Sequence, residues 1–370
     1  MTTPRVLVDA TAIPADRGGV GRYLDGLLAA LATDDPPTVV ARPDDAQRFR
    51  ELGLPVVVVS PQLTRASRRI LWEQLGLPRI MRRGGFDVLH SPHYTFPLFG
   101  RFARVVTIHD LTFFTLPESH SRLKRVFFRF WLRRIARHRM PVVAVSAATA
   151  REFTRILDAD AARIVVAPHG YDPEVFHPPA DAEVAAFARA QEPPVSTWIA
   201  FLGTIEPRKN VPALVAAHAR LGDDAPALLL AGGPGWDADA PAAIARARAE
   251  GRDVRALGYL PLEQLSAFLG GAEVVAYPSL GEGFGLPVLE AMATGAAVLT
   301  TDRLALPEVG GDAVAYTDVD ADAIAEALER LLGDAALRER LRSDARERAT
   351  LFTWAEAARK HRLAYEAAAS

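Results

Sequence analysis

The 370-residue chain holds 43 Lys and Arg against 45 Asp and Glu, a net charge of -2, with 49% hydrophobic residues and no cysteine. This is a globular composition with length enough for two domains. It excludes disulfides and thiolate metal sites, and its near-neutral balance argues against a dedicated nucleic-acid binder.

The charge is uneven along the chain. Residues 1–190 carry 26 basic against 19 acidic residues and residues 191–370 carry 17 against 26, so the halves are about +7 and -9. The first half is therefore the one expected to meet something anionic. The opening "MTTPRVLVDATAI" has too short an apolar run for a signal peptide, and no stretch approaches the ~18 uninterrupted apolar residues of a membrane span. The expectation is a cytoplasmic protein.

Short apolar, β-branched runs alternate with longer amphipathic stretches. "RVLVDA" (5–10), "PVVVVS" (55–60), "DVLHS" (87–91), "RVVTIHD" (104–110), "PVVAVS" (141–146) and "RIVVAPHG" (163–170) read as strands buried on both faces, as in a parallel sheet. Helical stretches such as "GVGRYLDGLLAALA" (19–32) separate them. After "AQEPPVSTW" (190–198), which reads as a linker, a second strand series runs at 198–203, 227–232, 254–259, 273–279, 296–301 and 313–317. The pattern predicts an α/β protein of two tandem Rossmann-like parallel-sheet domains facing across a cleft, with a final helix that crosses back over the first.

Four stretches carry the chemistry. In "EVVAYPSLGEGFGLPVLE" (273–290) a strand is followed by a glycine turn and a helix that Pro287 suits at its start. Such a helix N-terminus offers free N–H groups to an anion, most naturally phosphate. Glu282 lies in the turn and Glu290 about one turn into the helix. The pair could be a glycosidase acid/base dyad, or could grip hydroxyls on either side of a bound diphosphate. The bland alternative makes Glu290 a complement to the helix dipole and Glu282 a solvated loop residue.

"FLGTIEPRKN" (201–210) places Arg208 and Lys209 after another strand, a forked donor and a point charge suited to a departing diphosphate. Two solvated surface cations are the alternative. "ADRGGVGRYL" (15–24) holds Gly18, Gly19 and Gly21 without the full dinucleotide fingerprint. "TIHDLTF" (107–113) puts His109 at a strand end, where it either touches substrate or is a satisfied structural histidine. The Asp-x-Asp runs at 158–160, 237–239 and 318–322 sit in alanine-rich stretches and read as turns or helix starts rather than metal ligands.

"RLKRVFFRFWLRRIARHR" (122–139) interleaves eight Lys and Arg with Phe127, Phe128, Phe130 and Trp131. On a helix, Leu123, Phe127, Phe130 and Trp131 fall on one side. Either a packed helix coated by long arginines or a helix lying on a membrane surface has this pattern.

Taken together, E-G-F-G-L-P-V-L-E resembles the E-x7-E element of the GT-B retaining glycosyltransferases of family 4. "FLGTIEPRKN", "GGVGRY", "VTIHDLTF", "VSAATAREF", "APHGYDPEVF" and "LPEVGGDA" match that family in order and spacing. "LWEQLGLP" and "DVLHSPHYTFPL" look most like its bacterial mannosyltransferase-like branch. The resemblance implies an acceptor-side domain at 1–190, a nucleotide-sugar-binding domain at 196–352 and the crossing helix at 353–370.

It further implies that Glu282 contacts the donor sugar and Glu290 the ribose. The backbone of Phe284, Gly285 and Leu286 would cradle the distal phosphate, and Arg208 and Lys209 would stabilise the leaving diphosphate. Gly18 and Gly19 would admit the phosphates and His109 would sit by the sugar. One position departs from the pattern: many members carry a cation directly after the glycine of the 201–210 stretch, whereas this chain has Thr204.

The implied activity is transfer of a hexose, mannose favoured, from a nucleoside-diphosphate sugar to a glycan or lipid-linked acceptor in polysaccharide biosynthesis. GDP-mannose is the candidate donor, with no metal and no further cofactor. Retention would follow the family's front-face route, the diphosphate taking the acceptor's proton. The rivals are a nucleotide-sugar epimerase of the same fold and a catalytically silent nucleotide-sugar-binding partner. The nucleobase would be read through the backbone near "LGYLP" (257–261).

Overall fold

The computed structural model describes residues 3–13 and 18–370, so residues 14–17 at the head of the glycine loop lie outside the described residues. The chain forms two compact units, residues 1–170 with 353–370, and residues 171–352.

The first unit is a seven-stranded sheet: β1 (Val6–Asp9), β2 (Thr38–Ala41), β3 (Val56–Val58), β4 (Val88–Ser91), β5 (Ala103–Ile108), β6 (Val142–Ala144) and β7 (Ile164–Val166). Its order is β3-β2-β1-β4-β5-β6-β7, every pair parallel. The second unit is a six-stranded parallel sheet in the order β10-β9-β8-β11-β12-β13. Its strands are β8 (Trp198–Leu202), β9 (Ala227–Ala231), β10 (Val254–Gly258), β11 (Val274–Tyr277), β12 (Val298–Thr301) and β13 (Ala315–Thr317). Strand order reverses between β1 and β4 in one sheet and between β8 and β11 in the other. In open α/β sheets those reversals open a crevice at the carboxyl ends of the strands.

β2 is a strand that the sequence reading passed over. It is four residues, "TVVA", between Pro36–Pro37 and Pro43, and it reads as loop because prolines bracket it. In the sheet it is central, hydrogen-bonded to both β1 and β3, and no proline falls within it.

The boundary also moves. Residues 171–190, read with the first domain, belong to the second unit. The helix Asp181–Ala190 turns Phe187 onto Trp198 and Phe268, with ring centroids 5.4 and 5.6 Å apart. Aromatic burial of this kind outweighs the linker signal of "EPP", which instead joins that helix to β8 within one unit.

The C-terminal helix Trp354–Ala369, capped by Thr353, lies in the first unit. Its Ala358, Ala364 and Tyr365 share a core with Tyr23, Leu24, Leu27 and Leu28 of the helix Gly18–Leu31. Gly26 makes that approach possible, since a Cβ there would overlap the Trp354 indole. Among the described residues no helix is long and apolar enough to cross a membrane.

Candidate functional site

The second unit brings Arg208, Lys209 and Glu282 into one buried cluster at its strand-order reversal. The chain leaves β8 through Gly203 and turns into the short 3-10 helix Pro207–Lys209, with Asn210 ending it in the left-handed region at φ 59°. The chain leaving β11 turns at Ser279–Gly281 and meets it: the Leu280 amide donates to the Arg208 carbonyl at 2.8 Å and the Arg208 guanidinium to the Gly281 carbonyl at 2.9 Å. The two loops are thus welded together on either side of the reversal.

Glu282 is 7% exposed, so it is not a solvated loop residue. Its Oε1 accepts from Lys209 Nζ at 2.6 Å, Tyr277 OH at 2.8 Å and Ser279 Oγ at 2.8 Å, while Arg208 pairs with Oε2. Arg208 also bonds Glu206 at 2.5 Å, and Lys209 donates to Tyr277 OH. Burial alone would raise the Glu282 carboxyl, but the Arg208 and Lys209 charges and their hydrogen bonds outweigh it and hold it down at about 2. Lys209 moves below the ordinary lysine value because of burial and the adjacent Arg208, only partly offset by the two carboxylates. Two cations therefore face two carboxylates, and the cluster is neutral before any ligand arrives.

The helix Leu286–Ala293 starts beside this cluster. Gly285 precedes it at φ 105°, where an added Cβ would also lie 2.9 Å from Leu306 Cδ2. Only glycine suits that turn. The Phe284 ring packs edge-on against Phe352 at 5.9 Å, which leaves the backbone of Phe284, Gly285 and Leu286 to carry the turn. Pro287 occupies the first turn, where its missing N–H costs nothing. Glu290 is 2% exposed inside this helix, too buried to serve only as a solvated dipole complement. Facing the acid/base alternative, Glu282 is locked by four donors with no proton to give, so the pair is not arranged as a hydrolytic dyad.

The first unit holds the remaining candidates. Gly18 and Gly19 open the helix Gly18–Leu31, Gly18 at φ 35°, and neither has a heavy atom within 4 Å of where a Cβ would stand. His109 follows β5; its Nε2–H donates to the Pro92 carbonyl at 2.8 Å, which leaves Nδ1 as the acceptor nitrogen. Burial keeps it neutral by lowering its pKa, against the opposing pull of the Pro92 bond and Asp110. Tyr23 braces it edge-on at 5.0 Å.

Behind His109 lies a buried polar chain that the sequence did not announce. His361 Nδ1 faces the Ala357 carbonyl at 2.7 Å, which can only accept, so that nitrogen carries the proton. Tyr23 OH then donates to His361 Nε2 at 2.8 Å, Thr107 donates to Tyr23 at 2.9 Å, and His90 Nε2 donates to Thr107 at 2.8 Å. Tyr365 OH completes the chain by donating to His90 Nδ1 at 2.9 Å. One carbonyl thereby fixes the direction of five hydrogen bonds and both histidine tautomers.

The Asp-x-Asp runs are turn and cap residues. Asp158 ends a helix in the left-handed region, Asp160 and Asp320 accept capping bonds, and Asp237 accepts from the Asp239 and Ala240 amides. Among the described residues no group of three or more His, Asp or Glu could hold a metal ion. The basic helix Arg122–Arg137 buries Trp131, Leu132, Ile135 and Ala136. The face expected of it is split: Leu123 is 81% and Phe130 49% exposed, while Trp131 is buried.

Tyr277, Ser279 and Glu206 escaped the sequence reading although all three touch the cluster. Tyr277 ends an apolar strand and reads as core; Glu206 stood in plain view as the acid two residues before Arg208.

Two family models cover most of the chain: "Glycosyltransferase Family 4" matches residues 17–175 and "Glycosyl transferases group 1" residues 186–348. The chain is 32% identical over 273 residues to the O-antigen chain mannosyltransferase B of Escherichia coli, covering 72% of this chain and 71% of that protein. It is also 32% identical over 238 residues to a D-inositol 3-phosphate glycosyltransferase of a Nocardioides species, a match that spans 59% of this chain and about half, 52%, of that one. Among solved structures, Anabaena HepE in complex with UDP and glucose superposes with a TM-score of 0.78 at 17% identity, over 97% of this chain and 98% of that one.

Proposed function

Because this chain belongs to the group 1, family 4 glycosyltransferases of GT-B fold, we propose that it moves a hexose, mannose favoured, from a nucleoside-diphosphate sugar to a glycan or lipid-linked acceptor. The observation that carries the reading is the buried Arg208–Lys209–Glu282 cluster beside the N-terminus of the helix Leu286–Ala293. In transfer, the bond from the sugar's anomeric carbon to the diphosphate oxygen breaks, a bond to the acceptor oxygen forms, and the acceptor hydroxyl's proton passes to the departing diphosphate. Charge accumulates on the departing diphosphate. Two cations and a helix N-terminus are suited to take up that charge. Glu282, anionic and desolvated, is suited to accept hydrogen bonds from neutral sugar hydroxyls, and Glu290 from a ribose. His109 offers an acceptor nitrogen to the sugar.

Mannose and a polysaccharide setting draw their support from the O-antigen mannosyltransferase relative, and GDP-mannose follows as the donor to try first. The second relative, named for inositol phosphate, marks the acceptor as the variable part. A membrane-facing acceptor fits the helix Arg122–Arg137. Leu123, Val126 (71% exposed) and Phe130 stand out among exposed Arg122, Lys124, Arg133, Arg134 and Arg137, the pattern of a helix that rests on an anionic lipid surface.

The test is a thermal-shift screen of GDP, UDP, ADP and dTDP without added metal, followed by transfer assays with the matching nucleotide-sugar. Selective stabilisation by GDP and transfer from GDP-mannose are expected. A folded protein stabilised by none of the four overturns the donor reading. Flotation with anionic vesicles, lost in Leu123→Ser/Phe130→Ser, checks the lipid contact.

A further inference from the structure

The geometry around Glu282 raises a difficulty for the transfer reading, on which this inference rests. Arg208 and Lys209 are already spent on Glu206 and Glu282. A diphosphate gains their charge only if they loosen from Glu282. Left with no other donor, a buried carboxylate would take up a proton or swing away, and either change ends its use as an acceptor for sugar hydroxyls.

Two neutral donors remain on Glu282, and neither can follow the cations. Tyr277 is buried, its ring stacked on Phe201 at 5.8 Å and its carbonyl held by the Thr300 hydroxyl at 2.9 Å. Ser279 is fully buried, and its carbonyl accepts from the Thr301 hydroxyl at 2.6 Å. Adjacent threonines of β12 thus pin both backbones from below. Proton counting separates the two. Lys209 can only donate, so the single Tyr277 hydroxyl proton goes to Glu282 Oε1. The Ser279 proton has a second acceptor, the Arg208 carbonyl at 3.0 Å.

We propose that Tyr277, seconded by Ser279, is a positioning residue that keeps Glu282 anionic and in place while Arg208 and Lys209 pass from that carboxylate to the donor's diphosphate. The phenol suits the task because burial, and then the nearby Glu282 charge, hold it protonated far above the ordinary tyrosine range.

The experiment compares the affinity of GDP with that of GDP-mannose, by calorimetry, in wild type and Tyr277→Phe, and records transfer against pH. The cations survive in the variant, so GDP should bind within about 3-fold of wild type. The advantage of GDP-mannose over GDP, which reads the grip on the sugar, should fall on the order of 10-fold, as for loss of a hydrogen bond to a charged group. The acid limb of the pH profile should move toward neutrality, because a carboxylate with fewer donors is easier to protonate. Ser279→Ala should act in the same direction more weakly, with Ser279→Thr restoring it. That pair carries the test should Tyr277→Phe fail to fold.

An unchanged ratio and acid limb overturn the proposal, as does an equal loss of affinity for both ligands, which a merely structural tyrosine would give. If wild type binds no nucleoside diphosphate, the donor reading falls and this proposal with it. If it binds and the ratio holds, this proposal falls alone.

Discussion

The buried chain Tyr365–His90–Thr107–Tyr23–His361 makes the first unit sensitive to acid, and His361 gives that sensitivity a magnitude. Burial lowers its pKa from the ordinary 6.5 to about 4, helped by His109 and opposed by the Ala357 carbonyl bond. The folded value lies below the unfolded one, so the unfolded chain binds more protons below pH 6.5. Stability is therefore present above that pH, is lost as the pH falls, and the loss levels off near 4. At ~1.4 kcal/mol per unit the full window is worth about 3 kcal/mol, of which about 2 kcal/mol is gone by about pH 5.

In His361→Gln a carboxamide oxygen can still accept from Tyr23, but the group no longer titrates. The variant should cost about 1–3 kcal/mol near pH 7.5, where a buried bond is imperfectly replaced. That cost should shrink by about 2 kcal/mol near pH 5, because only wild type loses stability there. His90, His109 and Tyr365 face the same site in both proteins, so their own titration largely cancels in the difference. Hydrogen exchange in peptides from β5 and the C-terminal helix reads the opening energy of this region without requiring two-state unfolding of the whole chain. A cost that is equal at the two pH values refutes the assignment of His361 as buried and neutral.

Glu282→Gln should lower transfer on the order of 100-fold or more while leaving circular dichroism unchanged; turnover near wild type removes the role given to that carboxylate. Glu282→Ala should do worse than lose activity, since it leaves two buried cations, Lys209 and Arg208, facing the carboxylate of Glu206 where they had faced two, a broken buried pair that costs about 3–5 kcal/mol, visible as a large fall in melting temperature. Gly285→Ala combines a φ of 105° with a 2.9 Å approach to Leu306, and should destabilise by about 1–3 kcal/mol in thermal scans. Asp320→Ala should cost about 1 kcal/mol of cap energy and leave the metal response of transfer unchanged, whereas a new metal dependence would contradict the reading of 318–322 as a cap.

What could be read ahead of the structure was whatever has a local period or a fixed spacing. The strands at β8 and β11 are unbroken apolar runs and those at β1 and β5 are mostly apolar, and Arg208, Lys209, Glu282 and Gly285 stand beside strand ends and glycines within two short stretches. β2 stayed hidden because four residues between prolines give no period to count. The domain boundary slipped because Phe187 has no local mark of its partners Trp198 and Phe268. Tyr277 was legible as strand but not as a ligand of Glu282, since burial disguises a polar end on an aromatic ring. The histidine chain was beyond any window: its members come from positions 23 to 365, and only the folded sheet brings them within hydrogen-bond reach.

The helix Trp354–Ala369 has a consequence for the order in which this molecule comes into being. Residues 171–352 form one uninterrupted unit, so they can close as soon as they are synthesised. The first unit cannot, because Ala357, His361 and Tyr365 complete its polar chain and are made after every residue of the second. Chains are usually expected to settle from the N-terminus forward. Here the earliest-made sheet must wait with Tyr23 short of His361, His90 short of Tyr365, and its apolar seam uncovered. That interval is when a chaperone would have most to hold.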